Sequence, residues 1–369
     1  MFRMTGPNKR KYLFMPFNIL TDPFFPVLTR DRSRRWIAFA DLAASGDDEP
    51  LQFEWPRSDF NVAACELAIG VAALAFQPLK PSDWTKLWND PPNPERTAAA
   101  IAPFAHAFAL DGDGPRFLQE RGGLQGDATP IEALLIDTPG ANGQKKNADL
   151  LTHRGRYERL GLPAAAMALY ALQQFAPSGG AGNRTSMRGG GPLTTLVIPG
   201  SAGSERPSLW RLILANLPQH ERLEFDSDEL PKILPWLAPT LVSDKAHGEH
   251  VVSEADDDAH CLQAFFGMPR RIALQFAGEG VCSMTGETVE ARGCRSPRDD
   301  LRGERAPGVR IFFQQILQRD IVEHSVRQKP LKLRVLVLKL PQPLGLRDLH
   351  AAKLRFPGVE RRAADPVLG

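Results

Sequence analysis

The stretch from Ala176 to Pro192, Ala-Pro-Ser-Gly-Gly-Ala-Gly-Asn-Arg-Thr-Ser-Met-Arg-Gly-Gly-Gly-Pro, sets six glycines and two arginines between a helical pattern and a strand pattern. Helix and sheet interiors both lose stability at glycine, so this segment reads as a connection whose course is set by the elements at its two ends. Without a Cβ, glycine backbone can come within hydrogen-bonding distance of a phosphate, a sugar or a base edge where other residues would clash. Arg184 and Arg188 add charge and forked donors beside those amides. No Gly-Lys-Ser/Thr follows, and Gly180-Ala181-Gly182 lacks the third glycine of a dinucleotide fingerprint. The segment therefore points to anion or nucleic-acid contact and away from nucleotide hydrolysis; a plain connector remains the alternative.

The flanking sequence predicts the supports. Pro163 suits a first helical turn, Ala165 to Phe175 reads as a strong helix stopped by Pro177, and Leu193 to Pro199 reads as a strand. Upstream, Phe17 to Leu20, Phe24 to Leu28 and Arg35 to Phe39 predict short strands of a small antiparallel sheet. Asp59 is placed to cap a core helix carrying Val62, Cys65, Ile69, Ala72 and Phe76, which ends at Gln77-Pro78. Trp84 and Trp88 share a helix, an Ala-rich helix runs from Glu95 to Ala107, and Asp111 to Pro115 is a tight turn. Ile131 to Asp137 is a short helix or strand that leads into a long polar loop, Pro139 to Asn147, with His153-Arg154-Gly155-Arg156 close behind it. A helix near Leu209 to Leu217 and a strand from Arg271 to Phe276 complete the pattern.

Charge is unevenly spread. The formal net charge is +2, yet residues 292–369 hold 17 Lys and Arg against 8 Asp and Glu, so the body before them is acidic. A basic tail fits phosphate neutralisation or an ordinary solvated end. The apolar run Ala63 to Phe76 is interrupted by Glu66, and no signal-peptide pattern opens the chain, so the expected location is cytoplasmic with no membrane partner. Cys65, Cys261, Cys282 and Cys294 form no C-x-x-C pair, which argues against a disulfide framework and a four-cysteine zinc site.

Catalytic constellations are fragmentary. His247, Glu249 and His250, followed by Asp256, Asp257, Asp258 and His260, offer ligands for a metal-dependent hydrolase, but no H-E-x-x-H helix is present. Ser178 and Ser186 lack a G-x-S-x-G elbow. A phosphometabolite-binding enzyme using the glycine segment as an anion nest stays open beside the nucleic-acid reading.

Several blocks occur in the order seen in a known family: Phe17-Asn18-Ile19-Leu20 with Pro26-Val27, Asp59-Phe60-Asn61, Asp111 to Phe117, Ile131 to Leu135, Gly182 to Thr195, and Phe266 to Arg271. Over about residues 17–291 the chain resembles CasA, the large subunit of the type I-E CRISPR Cascade complex. That resemblance implies a non-enzymatic subunit with no cofactor. Its implied partners are the other Cascade subunits, the guide RNA, target double-stranded DNA and the helicase-nuclease. It further implies that a glycine loop, Ser178 to Asn183 with Gly179, Gly180 and Gly182, meets the motif flanking the target (the PAM) from the minor groove. Asn183, Arg184 and Arg188 are then DNA-binding candidates. The groove's degenerate pattern gives relaxed recognition there, and guide pairing supplies long-range specificity. Lys145, Lys146, His153, Arg154 and Arg156 resemble the family's first loop and become candidates for RNA or DNA backbone contacts.

Departures shape the rest. Where some members hold zinc through a C-x-x-C before the helix, this chain has Gly161 and Ala164, so no metal is expected. Cys282-Ser283-Met284-Thr285-Gly286-Glu287 matches the family, but beyond about Arg292 the likeness ends and the C-terminal four-helix bundle is not recognisable. The basic finger and glutamine wedge are not located. The expected layout is a loose extension over 1–15, a CasA-like domain over 16–291 and a basic tail over 292–369, either divergent or translated out of frame. The expected fold class is α+β, a large irregular body of short antiparallel sheets and several helices.

Overall fold

The computed structural model of the chain describes residues 16–78, 80–121, 124, 128–150, 152–175, 185–186, 196–200, 206–218, 229–240, 259–276, 280–289 and the backbone of 310–313. All of them fall within one compact unit, Met1–Arg319. The architecture is α+β, as expected.

The first sheet is antiparallel in the order β2-β1-β3, with β1 at Phe25–Thr29, β2 at Arg34–Ile37 and β3 at Pro50–Phe53. Phe25, Val27 and Thr29 alternate inward along β1, as a half-buried strand requires. Pro50 opens an edge strand, where its missing N–H costs no ladder bond. Phe17 to Leu20, expected as a strand, makes only a bridge from Asn18 to Ala109. The Asn18 side chain accepts the Leu20 N–H at 3.0 Å, and Asp22 accepts the Asn18 N–H at 2.9 Å. These local bonds turn the chain before a ladder can form.

Two apolar helices make the centre. α1, Ser58–Phe76, is buried on nearly every side; it is long and apolar enough to cross a membrane by length and composition alone, yet two thirds of it lies inside the protein. Asp59 does not cap it: the helix starts one residue earlier, and Asp59 instead pairs with Arg57 at 2.8 Å. Gln77 ends it in the left-handed region, φ 41°. Gly70 lies where a Cβ would come 2.6 Å from Phe265, so the backbone itself forms the contact. α2, Pro81–Asn89, stacks Trp84 on Trp88 at 4.9 Å against Trp210. The Ala-rich helix is shorter than expected, because α3, Pro94–Ile101, tightens into a 3-10 turn at Ala102–Ala107 where Pro103 removes a donor.

Strand β4, Ala128–Pro130, precedes a 3-10 turn, Ile131–Leu134, and the short helix α4, Ala141–Lys145, inside the expected loop. α5, Leu162–Phe175, is the second central helix and packs along α1. α6, Leu209–Ala215, is capped by Ser208, and α7 spans Leu230–Ile233. Leu196 to Gly200 is not strand, in contrast to the pattern read there; Asn216 brackets Val197 instead, accepting its N–H at 2.7 Å and donating to its carbonyl at 2.8 Å. β5, Ile272–Gln275, joins β4 through β8, Arg310–Phe313, while β6, Gly280–Val281, pairs with β7, Thr288–Val289. Phe108 and Phe117 stack, Trp236 and Phe266 meet this pair and each other edge to face, and each buried ring contributes about 1.5–3 kcal/mol through area alone.

Candidate nucleic-acid interface

The polar loop after β4 is built as a tethered platform. α4 ends at Lys145, Asn147 two residues on reverses the chain with a φ of 49°, and Ala148 N–H returns to the Gly143 carbonyl at 2.9 Å. Arg154 closes the loop from inside: its Nη2 donates to Asp149 Oδ1 at 2.8 Å and to the Gln144 carbonyl at 2.8 Å, and its Nε donates to Asp149 Oδ2. Arg156 donates to Asp137 at 2.6 Å and lies 4.8 Å over the Tyr157 ring. Arg57 joins Asp137 at 3.1 Å, which ties the loop to the start of α1. Gly155 N–H donates to Glu132 at 2.9 Å.

The charges follow this geometry. Burial works to raise the Asp137 carboxyl, but the hydrogen bonds from Arg156 and Arg57 outweigh it and hold it below its ordinary value. The Arg154 hydrogen bond likewise lowers Asp149. Arg154 and Arg156 thus spend donors on partners within the loop and its neighbours, although both side chains lie at the surface. Lys145, Lys146 and His153 are exposed and make no side-chain hydrogen bond or ion pair among the described residues. Of the five loop candidates, these three stand open to an external anion.

The base of the glycine-rich segment is held differently. Gln173 and Gln174, both fully buried near the end of α5, reach across to a strip more than ninety residues away in sequence. Gln173 Nε2 donates to the Arg270 carbonyl at 2.8 Å and its Oε1 accepts the Arg270 N–H at 3.2 Å. Gln174 Nε2 donates to the Gly267 carbonyl at 3.0 Å. Ser186, buried and within the segment, reaches back to the helix end, its Oγ donating to the Gln174 carbonyl at 3.4 Å. Gly179, Gly180, Gly182, Asn183, Arg184 and Arg188 lie outside the described residues.

From its other side the same strip is fixed by Gln119, which accepts the Leu274 N–H at 2.9 Å, and by Glu120, which accepts from Arg271 at 2.9 Å. Burial pushes the Arg270 guanidinium down from its usual range. The two glutamines were not among the sequence candidates. Their signal is an adjacent amide pair in a helix whose other residues are apolar or small.

The remaining candidates resolve as structure. Asp111 accepts the Phe17 N–H at 2.7 Å from a buried position. His260 Nδ1 accepts the Leu262 N–H at 3.1 Å as a helix cap, while 247–250 and 256–258 lie outside the described residues. A cavity of about 250 Å³ is lined by Phe17, Trp36, Gly161, Ala164, Cys282 and Thr285. Gly161 and Ala164 offer no donor there; Cys282 and Glu287, the latter engaged by Trp36 Nε1, are the zinc-type ligands of the lining, and two do not make a tetrahedral set. No group of three or more His, Cys, Asp or Glu side chains suited to a metal occurs among the described residues.

Residues 18–300 match the family model described as CRISPR-associated protein Cse1. The chain belongs to the Cse1 family. Solved Cse1 structures share its fold at low identity: Thermus thermophilus CasA (Cse1) is 20% identical with a TM-score of 0.51, the match covering 83% of this chain and 62% of that one. Thermobifida fusca Cse1 is 19% identical with a TM-score of 0.48, over 70% and 49%. A chain of a CRISPR RNA-guided surveillance complex is 16% identical with a TM-score of 0.47, over 84% and 58%. The chain spans about half to three fifths of the length of these Cse1 relatives.

Proposed function

We propose that this chain serves as the large subunit of a type I-E Cascade surveillance complex in the cytoplasm, a non-catalytic protein that meets double-stranded DNA. The observation that carries the reading is the Cse1 family match across residues 18–300, joined to a glycine-rich segment of the kind DNA minor-groove contact needs. In this reading Gly179, Gly180 and Gly182 bring bare backbone to the PAM, and Asn183, Arg184 and Arg188 hold nearby groups and phosphates. Lys145, Lys146 and His153 supply sequence-independent phosphate or guide-RNA contacts, and Arg154 and Arg156 shape the platform that presents them. In the same reading the chain aids opening of the target strand for guide pairing and recruits the helicase-nuclease. Its partners are the other Cascade subunits, guide RNA, target DNA and that nuclease.

The test is a gel-shift titration of the reconstituted complex, assembled with and without this chain, against a PAM-bearing and a PAM-scrambled duplex. The reading expects preference for the PAM duplex only when the chain is present, and loss of that preference in Gly180→Leu with assembly retained. Equal preference with and without the chain would contradict it.

A further inference from the structure

The strongest unassigned feature is the buried amide pair at the end of α5. Neutral glutamines on a core helix cost stability unless their polar atoms are paired. Here Gln173 engages both backbone groups of one residue, Arg270, and Gln174 engages Gly267 three residues earlier through Nε2 alone, its buried Oε1 having no partner among the described residues. Two anchor points at that spacing set the strip's register along the helix as well as its distance. Apolar packing alone would leave the register free to slip.

The same helix end emits the glycine-rich segment one residue later, and Ser186 within that segment rests on the Gln174 carbonyl. The strip carries two cations, Arg270 and Arg271, and Arg271 is braced from behind by Glu120 and Thr240. The two side chains therefore tie the helix end to the strip, and the main-chain carbonyl of Gln174 at that same end receives Ser186.

We infer that Gln173 and Gln174 are positioning residues for motif reading, fixing the start of the glycine-rich segment against the backbone of Gly267 and Arg270. The inference rests on the proposed DNA-reading role of that segment. It assigns the glutamines no contact with DNA; they act through the placement of backbone that does touch it. Placement governs discrimination between motifs, whereas affinity for any duplex follows from phosphate contacts.

The experiment uses the full chain in the reconstituted complex, with Gln173→Met and Gln174→Met singly and together, replacing each amide by an apolar side chain of similar length. The readout is the affinity ratio between PAM-bearing and PAM-scrambled duplexes, with the salt dependence of scrambled-duplex binding measured alongside. The double variant is expected to lose about tenfold of the ratio, with scrambled-duplex affinity and salt slope unchanged. If the double variant fails to assemble, Gln174→Met, which loses one bond, is expected to reduce the ratio severalfold on its own. An assembled variant with an unchanged ratio overturns the inference, as does an equal loss of affinity for both duplexes, which marks a merely structural role. Gly180→Leu is measured in the same assay. If it too leaves the ratio unchanged, the reading of the segment fails; if it abolishes the ratio while the glutamine variants do not, only this inference fails.

Discussion

The loop after β4 and the base of the glycine-rich segment hold their neighbours by opposite means. The loop is tied by ion pairs at or near the surface, Arg156 to Asp137 and Arg154 to Asp149, with two members little exposed, Arg57 at 12% and Asp149 at 8% of the side chain. The base is tied by neutral amides that water does not reach. Surface ion pairs contribute little and weaken with salt, whereas a buried amide left without its partner costs the full desolvation of the group. In the proposed function, phosphate contacts at the loop tolerate the first arrangement, and a segment meeting a groove requires the second.

The largest expected break in this contrast comes from beneath the base. Phe266→Ala removes a ring packed on Phe108 and Trp236 beside Gly267, and should cost about 3–5 kcal/mol in a denaturant titration. A smaller loss belongs to the loop. Asp137→Asn leaves Arg57 and Arg156 without their shared carboxylate, yet global stability should fall by no more than about 1 kcal/mol. Amide exchange across 140–157 should accelerate in the same variant. An unfolding midpoint that drops as far as that of Phe266→Ala would erase the difference between the two regions.

The smallest effect is that of pH. Asp137 is held below its ordinary value of 3.8, so the unfolded chain binds its proton first as pH falls. The tether's contribution is present above about pH 4 and is lost as the pH drops through the lower folded value. Loop exchange should therefore be steady from pH 7 to 5 relative to the intrinsic rate and rise only in stronger acid. A transition near pH 6 would show that another group controls the loop.

Much of this was legible in the residues. The apolar spacing from Val62 to Phe76 announced α1, Pro163 and Phe175 bounded α5 closely, and the ordered blocks from Phe17 to Arg271 pointed to the family before any coordinates did. What the residues concealed were partnerships over long separations. Asp59 looked like a helix cap because capping is a local pattern, but Arg57 and Asp137 claim the neighbourhood across 80 residues. Arg156 pairs with Asp137 19 residues back, and Arg154 with Asp149 only five residues back, a contact that loop sequence does not announce because no helical or strand periodicity sets its spacing. Leu196 to Ile198 reads as strand by propensity, and Asn216 overrides it. The glutamine pair was visible as an anomaly, but the residues it grips lie beyond any local window.

The most direct test of the account is a salt titration of duplex binding by the reconstituted complex, carried out for wild type, Gly180→Leu and the double variant Lys145→Ala/Lys146→Ala. The account predicts that Gly180→Leu collapses the PAM preference while the salt slope stays as in wild type, and that the lysine variant flattens the slope while the preference survives. The reverse pattern, with the lysines setting the preference and the glycine setting the slope, would contradict it.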